Sequence, residues 1–157
     1  ALQVGMRVFY PAHGVASVVG VEEQDFGGTS QLYFSLELDS GQKVLLPVDR
    51  VERAGVRELV PASRAREMLE TVIEKPSGTE PSARRQRVAE YKERLKSGAA
   101  DSYTGVLQRL LFRSRSKKLA MDEKRVLEEA RGYFVSEVCA VLDIPRAEVL
   151  DQLASTS

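Results

Sequence analysis

Apolar and polar residues alternate with a strand-like period over the first sixty or so positions and with a helical period after them. Met6 to Tyr10 reads as a strand broken at Tyr10-Pro11, with Gly14 at the following turn. Val15 to Phe26 predicts a long strand, strongly apolar in its first half, in which Gly20 marks a bulge or bend. Gly27-Gly28 then predicts a hairpin turn, because glycine reaches positive φ without steric cost. From Gln31 to Leu38, Leu32, Phe34, Leu36 and Leu38 alternate with polar positions, Tyr33 being the exception. Asp39-Ser40-Gly41 turns the chain into Lys43 to Leu46, which Pro47 stops. Four or five short antiparallel strands in so short a segment bury one side by closing into a small barrel.

From Ala62 the pattern predicts helices. Ser63 is positioned to cap the first, which runs to about Glu74 and ends at Lys75-Pro76-Ser77-Gly78. Pro81-Ser82 opens a second, Ala83 to Lys96, closed by Ser97-Gly98. A third spans roughly Asp101 to Phe112 and carries Val106, Leu107, Leu110 and Leu111, after which Arg113 to Lys118 reads as a basic loop. Asp122 to Leu142 is the longest, with Val126, Leu127, Ala130, Phe134, Val138 and Val141 at helical spacing. Ile144-Pro145 starts a last short helix, Arg146 to Leu153, and Ala154 to Ser157 reads as a frayed end leading into a linker. The expected architecture is α+β: a small antiparallel barrel over residues 1–60 and a compact all-α domain over residues 61–157.

A chain of 157 residues suits one medium domain or two small ones, and 43% hydrophobic with 29% charged residues is ordinary for a globular protein. The single cysteine, Cys139, cannot form an internal disulfide, which points to a reducing cytoplasm. No signal peptide and no apolar run of about 18 residues is present, so no membrane association is expected. The neutral total charge hides a pattern. Residues 1–60 carry 5 Lys/Arg against 8 Asp/Glu, residues 61–118 carry 14 against 7, and residues 119–157 carry 4 against 8. A polyanion would feel the basic middle despite the neutral sum.

Catalytic chemistry finds little support. His13 is the only histidine and has no cysteine or carboxylate partner nearby in sequence, whereas acid–base chemistry requires a positioned partner. Cys139 lies on the apolar stripe of the longest helix and reads as a small core residue. There is no phosphate-cradling glycine loop and no metal-ligand spacing, so neither an enzyme nor a cofactor is expected. The second helix is more informative. Val88, Tyr91 and Leu95 share one side, which assigns Arg84, Arg85, Arg87, Lys92, Arg94 and Lys96 to the exposed arc. Lys124 and Arg125, with the basic residues between Arg109 and Lys118, can extend that surface. Such spacing suits phosphate contacts, which give affinity without sequence readout. The competing reading is that Glu90 and Glu93 neutralise the face through pairs one helical turn apart.

Several words in order along the chain resemble the CarD/CdnL family of bacterial RNA polymerase-binding regulators. They are Val4-Gly5-Met6-Arg7-Val8-Phe9-Tyr10-Pro11 with His13-Gly14-Val15, then Val44-Leu45-Leu46-Pro47 and Gly55-Val56-Arg57-Glu58-Leu59. Tyr91 to Gly98 and Asp122 to Leu127 follow. The first part also resembles the polymerase-interacting domain of transcription-repair coupling factors. The resemblance implies a Tudor/SH3-like barrel that docks on the RNA polymerase β subunit, and a helical domain that touches promoter DNA. By position it implies that the polymerase-facing edge falls around Gln24, Phe26 and Leu45. The basic residues expected to be exposed, Arg84, Arg85, Arg87, Lys92, Lys96, Lys124 and Arg125, are then the candidates for the DNA side, and a nucleoid-associated cytoplasmic location follows. Many relatives carry a tryptophan wedge near the slot of Arg84, and this chain has no tryptophan. That departure resembles a branch of the family in which such a domain works with a zinc-binding partner protein. Two rivals therefore stand beside promoter binding: an adaptor joining polymerase to that partner, and a nucleic-acid binder independent of polymerase.

Overall fold

The computed structural model describes residues 2–154; the expectation of a frayed end at 155–157 lies outside the described residues. The chain divides into two compact units, Ala1–Leu59 and Val60–Ser157. The first is a five-stranded antiparallel sheet in the order β4-β3-β2-β1-β5, built from β1 (Arg7–Tyr10), β2 (Gly14–Phe26), β3 (Thr29–Leu38), β4 (Lys43–Pro47) and β5 (Arg57–Glu58). The second holds helices α1 (Ala62–Thr71), α2 (Arg84–Ser97), α3 (Ala100–Ser116), α4 (Met121–Leu142) and α5 (Arg146–Ala154). The expected α+β class holds. The barrel is not closed, because β4 and β5 end the strand order without pairing to each other.

Gly27 and Gly28, at φ 58° and 86°, make the tight β2–β3 turn, a conformation that matches the twist of the flanking strands. The bulge falls one residue before Gly20: Val18 faces Leu36 and Gly20 faces Ser35, so Val19 has no partner. This extra residue resets the alternation of β2. Val8, Ala16, Val18, Leu36, Leu38, Leu46 and Val56 form the core, with Phe34 and Val44 partly buried against it. The core ends there. Leu32, placed by period on the same face, is 50% exposed because the hairpin runs on past the packed region.

In the helical unit α3 and α4 pack most extensively on each other. Tyr103, Val106, Leu107 and Leu110 of α3 and Val126, Ala130, Phe134 and Val138 of α4 are buried, together with Ala65, Met68 and Val72 at α1, Val88, Tyr91 and Leu95 of α2, and Val149 and Leu153 of α5. Tyr103 turns its ring edge to Phe134, centroids 6.4 Å apart, and donates its hydroxyl to the fully buried Glu137 at 2.6 Å. The other Glu137 oxygen accepts the Val60 amide at 2.9 Å, fixing the start of this unit.

Three expectations about helix ends are corrected. The residue before α1 is Pro61, and Ser63 lies inside the helix rather than capping it; α1 ends at Thr71, short of Glu74. The stretch Arg113–Ser116 is helical rather than a loop. Arg113 and Arg115 keep their helical positions because their guanidiniums bond to Glu80 and to the Ile73 carbonyl. Cys139 is half-buried, not a core residue, and burial pushes its thiol up. Gly98 closes α2 at φ 69° as a left-handed cap.

Candidate functional site

Directly opposed residues of an antiparallel sheet project to the same face. Glu22, Tyr33 and Pro47 stand in one such row, Gly20, Ser35 and Leu45 in the next, with Gln24 facing Gln31 and Phe26 facing Thr29 beyond. Gln24, Phe26 and Leu45 therefore share the face turned away from the core. Phe26 is 60% exposed and Leu45 42% exposed, so neither fills the interior. Phe26 meets Tyr33 edge-on at 6.4 Å between centroids. Polar groups frame this apolar strip: Tyr33 donates to Gln31 at 3.5 Å, and Gln24 to Glu22 at 3.4 Å. Leu45 lies on β4, whose outer edge pairs with no strand among the described residues. Sequence reasoning passed over Tyr33, though it was the one apolar residue in the polar phase of β3. That break in alternation was the signal that the second face of the strand also carries apolar surface.

The seven expected DNA contacts, five on α2 and two on α4, separate into distinct environments. Arg85, Lys92 and Lys96 are exposed along one row of the helix, about 16 Å from end to end at 1.5 Å per residue. Lys96 bonds Glu93 at 3.1 Å. Arg84 is exposed and pairs with Asp122 at 3.4 Å, which brings the start of α2 beside the start of α4, where Lys124 and Arg125 are exposed. Arg85, Lys92, Lys124 and Arg125 make no ion pair among the described residues.

Arg87 must be removed from the exposed arc. It is 6% exposed, donates to the Ser82 carbonyl at 2.6 Å and pairs with Glu123 at 3.3 Å. The reason is geometric: Arg87 lies four residues before Tyr91, so the same face that buries Tyr91 takes Arg87 inward. Glu123 in turn accepts the Ala120 amide at 3.0 Å, half of a capping box; the Ala120 methyl has no oxygen to return the bond.

A neighbouring cluster was not anticipated. Glu80, in the segment between α1 and α2, accepts from the Tyr91 hydroxyl and from Arg113 at 2.7 Å, and lies 3.7 Å from Arg109. Arg113 Nε is also 4.0 Å from Glu123, which ties both carboxylates into one network. Burial raises the Glu80 carboxyl, but the bonds from Tyr91 and Arg113 and the charge of Arg109 outweigh it and hold the group below its ordinary value. Burial and then the bond to Glu80 push the Tyr91 phenol well up, so it stays a donor. Only contacts between residues far apart in sequence reveal this network.

Among the described residues no group of three or more His, Cys, Asp and Glu is placed to hold a metal, and no helix is long and apolar enough to cross a membrane. His13 is exposed and stands edge-on to Tyr10 at 4.6 Å.

Two family models match the chain. One, described as "CarD-like/TRCF RID domain", covers residues 2–60, and the other, "CarD, C-terminal domain", covers residues 67–154. The Bacillus subtilis (strain 168) protein described as "Putative transcription factor YdeB" is 20% identical over 148 residues, 94% of this chain and 96% of its own length. A solved structure, the solution NMR structure of the 72-residue N-terminal domain of Myxococcus xanthus CarD, is 31% identical, with a TM-score of 0.31 and coverage of 36% of this chain and 77% of that one.

Proposed function

The chain belongs to the CarD/CdnL family of transcription regulators, and from that membership we propose that residues 1–60 dock on the RNA polymerase β subunit while residues 61–157 bring a basic helical surface to promoter DNA. One observation carries the docking half: exposed Phe26 and Leu45, with half-buried Tyr33 between them, form a strip on the outer face of the sheet, next to the open edge of β4. An open edge offers main-chain pairing to an incoming strand, and adjacent side chains supply selectivity. Gln24 stands at the same face as a polar contact. The match to a domain type shared with transcription-repair coupling factors supports polymerase as the partner. Work on polymerase also implies a cytoplasmic, nucleoid-associated location.

For DNA, Arg85, Lys92, Lys124 and Arg125 supply the free cations, with Arg84 and Lys96 available once their exposed surface partners release them. Surface pairs of that kind are worth about 0–1 kcal/mol, so little holds these two side chains to their present partners. Binding of this sort is weak and indifferent to sequence. The adaptor reading, with a zinc-binding regulator on the helical unit, is favoured by the pairing of Arg84 and Lys96 and the burial of Arg87, which leave few unpaired cations on α2.

The decisive experiment measures binding of the full chain to polymerase β and to promoter duplex by fluorescence anisotropy, with Phe26→Ser, Leu45→Glu and Arg85→Ala variants. The two sheet variants should lose β binding and keep DNA binding. Retention of β affinity in both would overturn the docking assignment, and absence of DNA binding at low salt would select the adaptor.

A further inference from the structure

The segment after α1 and the last turns of α3 line an open pocket of about 280 Å³ that the proposed polymerase and DNA surfaces leave unused. Lys75, Arg109, Arg113 and Lys117 line it, with Glu80 as the one lining carboxylate among the described residues; Arg113 also stands 4.0 Å from Glu123, so Lys75 and Lys117 are the lining cations with no carboxylate partner among the described residues. Two of the cations are fixed in place before any ligand arrives. Arg109 donates to the Ser77 carbonyl at 2.6 Å, and Arg113 is held on Glu80 at 2.7 Å. Lys75 and Lys117 are exposed and flank the same space. Phe112 adds an aromatic wall, itself steadied by the Arg115 guanidinium 5.8 Å over its ring.

We propose that this cavity binds a nucleoside diphosphate or triphosphate. Guanidiniums already braced by Glu80 and Ser77 lose little conformational freedom on meeting phosphate oxygens, and guanidinium–phosphate bonds are the stronger charge-assisted kind. The ring of Phe112 offers a surface on which a base can stack. The volume lies just under the roughly 300–1,000 Å³ typical of small-molecule sites, so the pocket takes the phosphates and one face of the base while the rest of the nucleotide stays in solvent. Glu80 sets the limit on charge: it is already bonded three ways, to Tyr91, Arg113 and Arg109, so its oxygens face cations rather than the incoming anion. The extension of α3 through Ser116 builds one wall of the site, carrying Arg109, Phe112, Arg113 and Ser116, and Lys117 follows directly in extended conformation.

Calorimetric titration of the full chain with ADP, GDP, inorganic pyrophosphate and a short DNA duplex tests this directly. The nucleotides should bind in the micromolar range, more weakly as salt rises. Lys75→Glu and Lys117→Glu change exposed side chains, so the melting temperature should stay near that of the parent chain, while each should weaken nucleotide binding about tenfold or more. Failure of both nucleotides to bind overturns the proposal, as does binding that neither variant weakens. Equal affinity for pyrophosphate overturns the nucleotide assignment, because Phe112 would then contribute nothing. Duplex binding that both variants abolish, with no nucleotide binding, transfers the cavity to nucleic acid and overturns it too.

Discussion

Arg85 and Arg87 stand two residues apart on α2 in opposite environments. Arg85 is exposed without an ion-pair partner among the described residues, whereas Arg87 is buried on Glu123 and the Ser82 carbonyl. Removing one member of a buried pair strands the other, so Arg87→Ala should cost about 3–5 kcal/mol in chemical denaturation. Arg85→Ala should shift stability by less than about 0.5 kcal/mol. On DNA the order reverses: with roughly three phosphate contacts, log affinity should fall against log salt with a slope of about −2 to −3. Arg85→Ala should flatten that slope by about one unit without changing sequence preference. A salt-insensitive, promoter-selective interaction would contradict this electrostatic account. Phe134 has no exposed surface, and Phe134→Ala should cost about 3–5 kcal/mol through lost transfer energy and the cavity left behind.

At the scale of elements, the start of α4 and the segment before α2 hold the helices in register. Ala120 occupies the N-cap position without a side-chain acceptor, while Glu123 already returns its half of the box. Ala120→Ser should therefore stabilise the chain by about 0.5–2 kcal/mol, seen as a raised denaturation midpoint. Glu80 joins α2 to α3 through Tyr91, Arg109 and Arg113. Its folded carboxyl is held below the ordinary value of 4.5, so the unfolded chain takes up the proton first as pH falls. The stability it contributes is complete above that ordinary value and is lost as pH drops through the lowered one. Melting temperatures of the parent chain and Glu80→Gln, followed from neutral to acid pH, should differ at neutrality and converge at the acid end. A constant gap would show that the charge on Glu80 plays no part.

For the molecule as a whole, the proposed polymerase surface belongs to the sheet unit and the proposed DNA surface to the helical unit. Residues 1–60 alone should then retain most of the affinity for the β subunit, as read by two-hybrid or calorimetric binding; affinity residing only in residues 61–157 would sink the assignment. Arg84 occupies the slot where the family resemblance places an aromatic wedge, and it is exposed beside Asp122. Arginine binds phosphate but supplies no apolar wedge. Arg84→Trp should lengthen open-complex lifetimes while leaving β binding unchanged, since the two groups of residues lie in separate units.

The order of elements, the α+β class and the Gly27-Gly28 turn were legible in the sequence, because strand and helix periods and positive-φ glycines act over a few neighbouring residues. So were the buried Phe134 and the inward side of α2. Arg87 was assigned to the exposed arc although it lies one turn before Tyr91, and the buried partner that holds it inward, Glu123, lies 36 residues away where no local pattern names it. The third helix outruns its apolar stripe for the same reason: Arg113 and Arg115 are stabilised by Glu80 and the Ile73 carbonyl, both distant in sequence. Exposure of Phe26 and Leu45 was decided by register: the bulge at Val19 and the pairing across β3 set both on the face turned away from the core, which alternation along a single strand does not reveal. Local periodicity determined the elements; long-range packing and charge pairing decided which of their polar faces remain open.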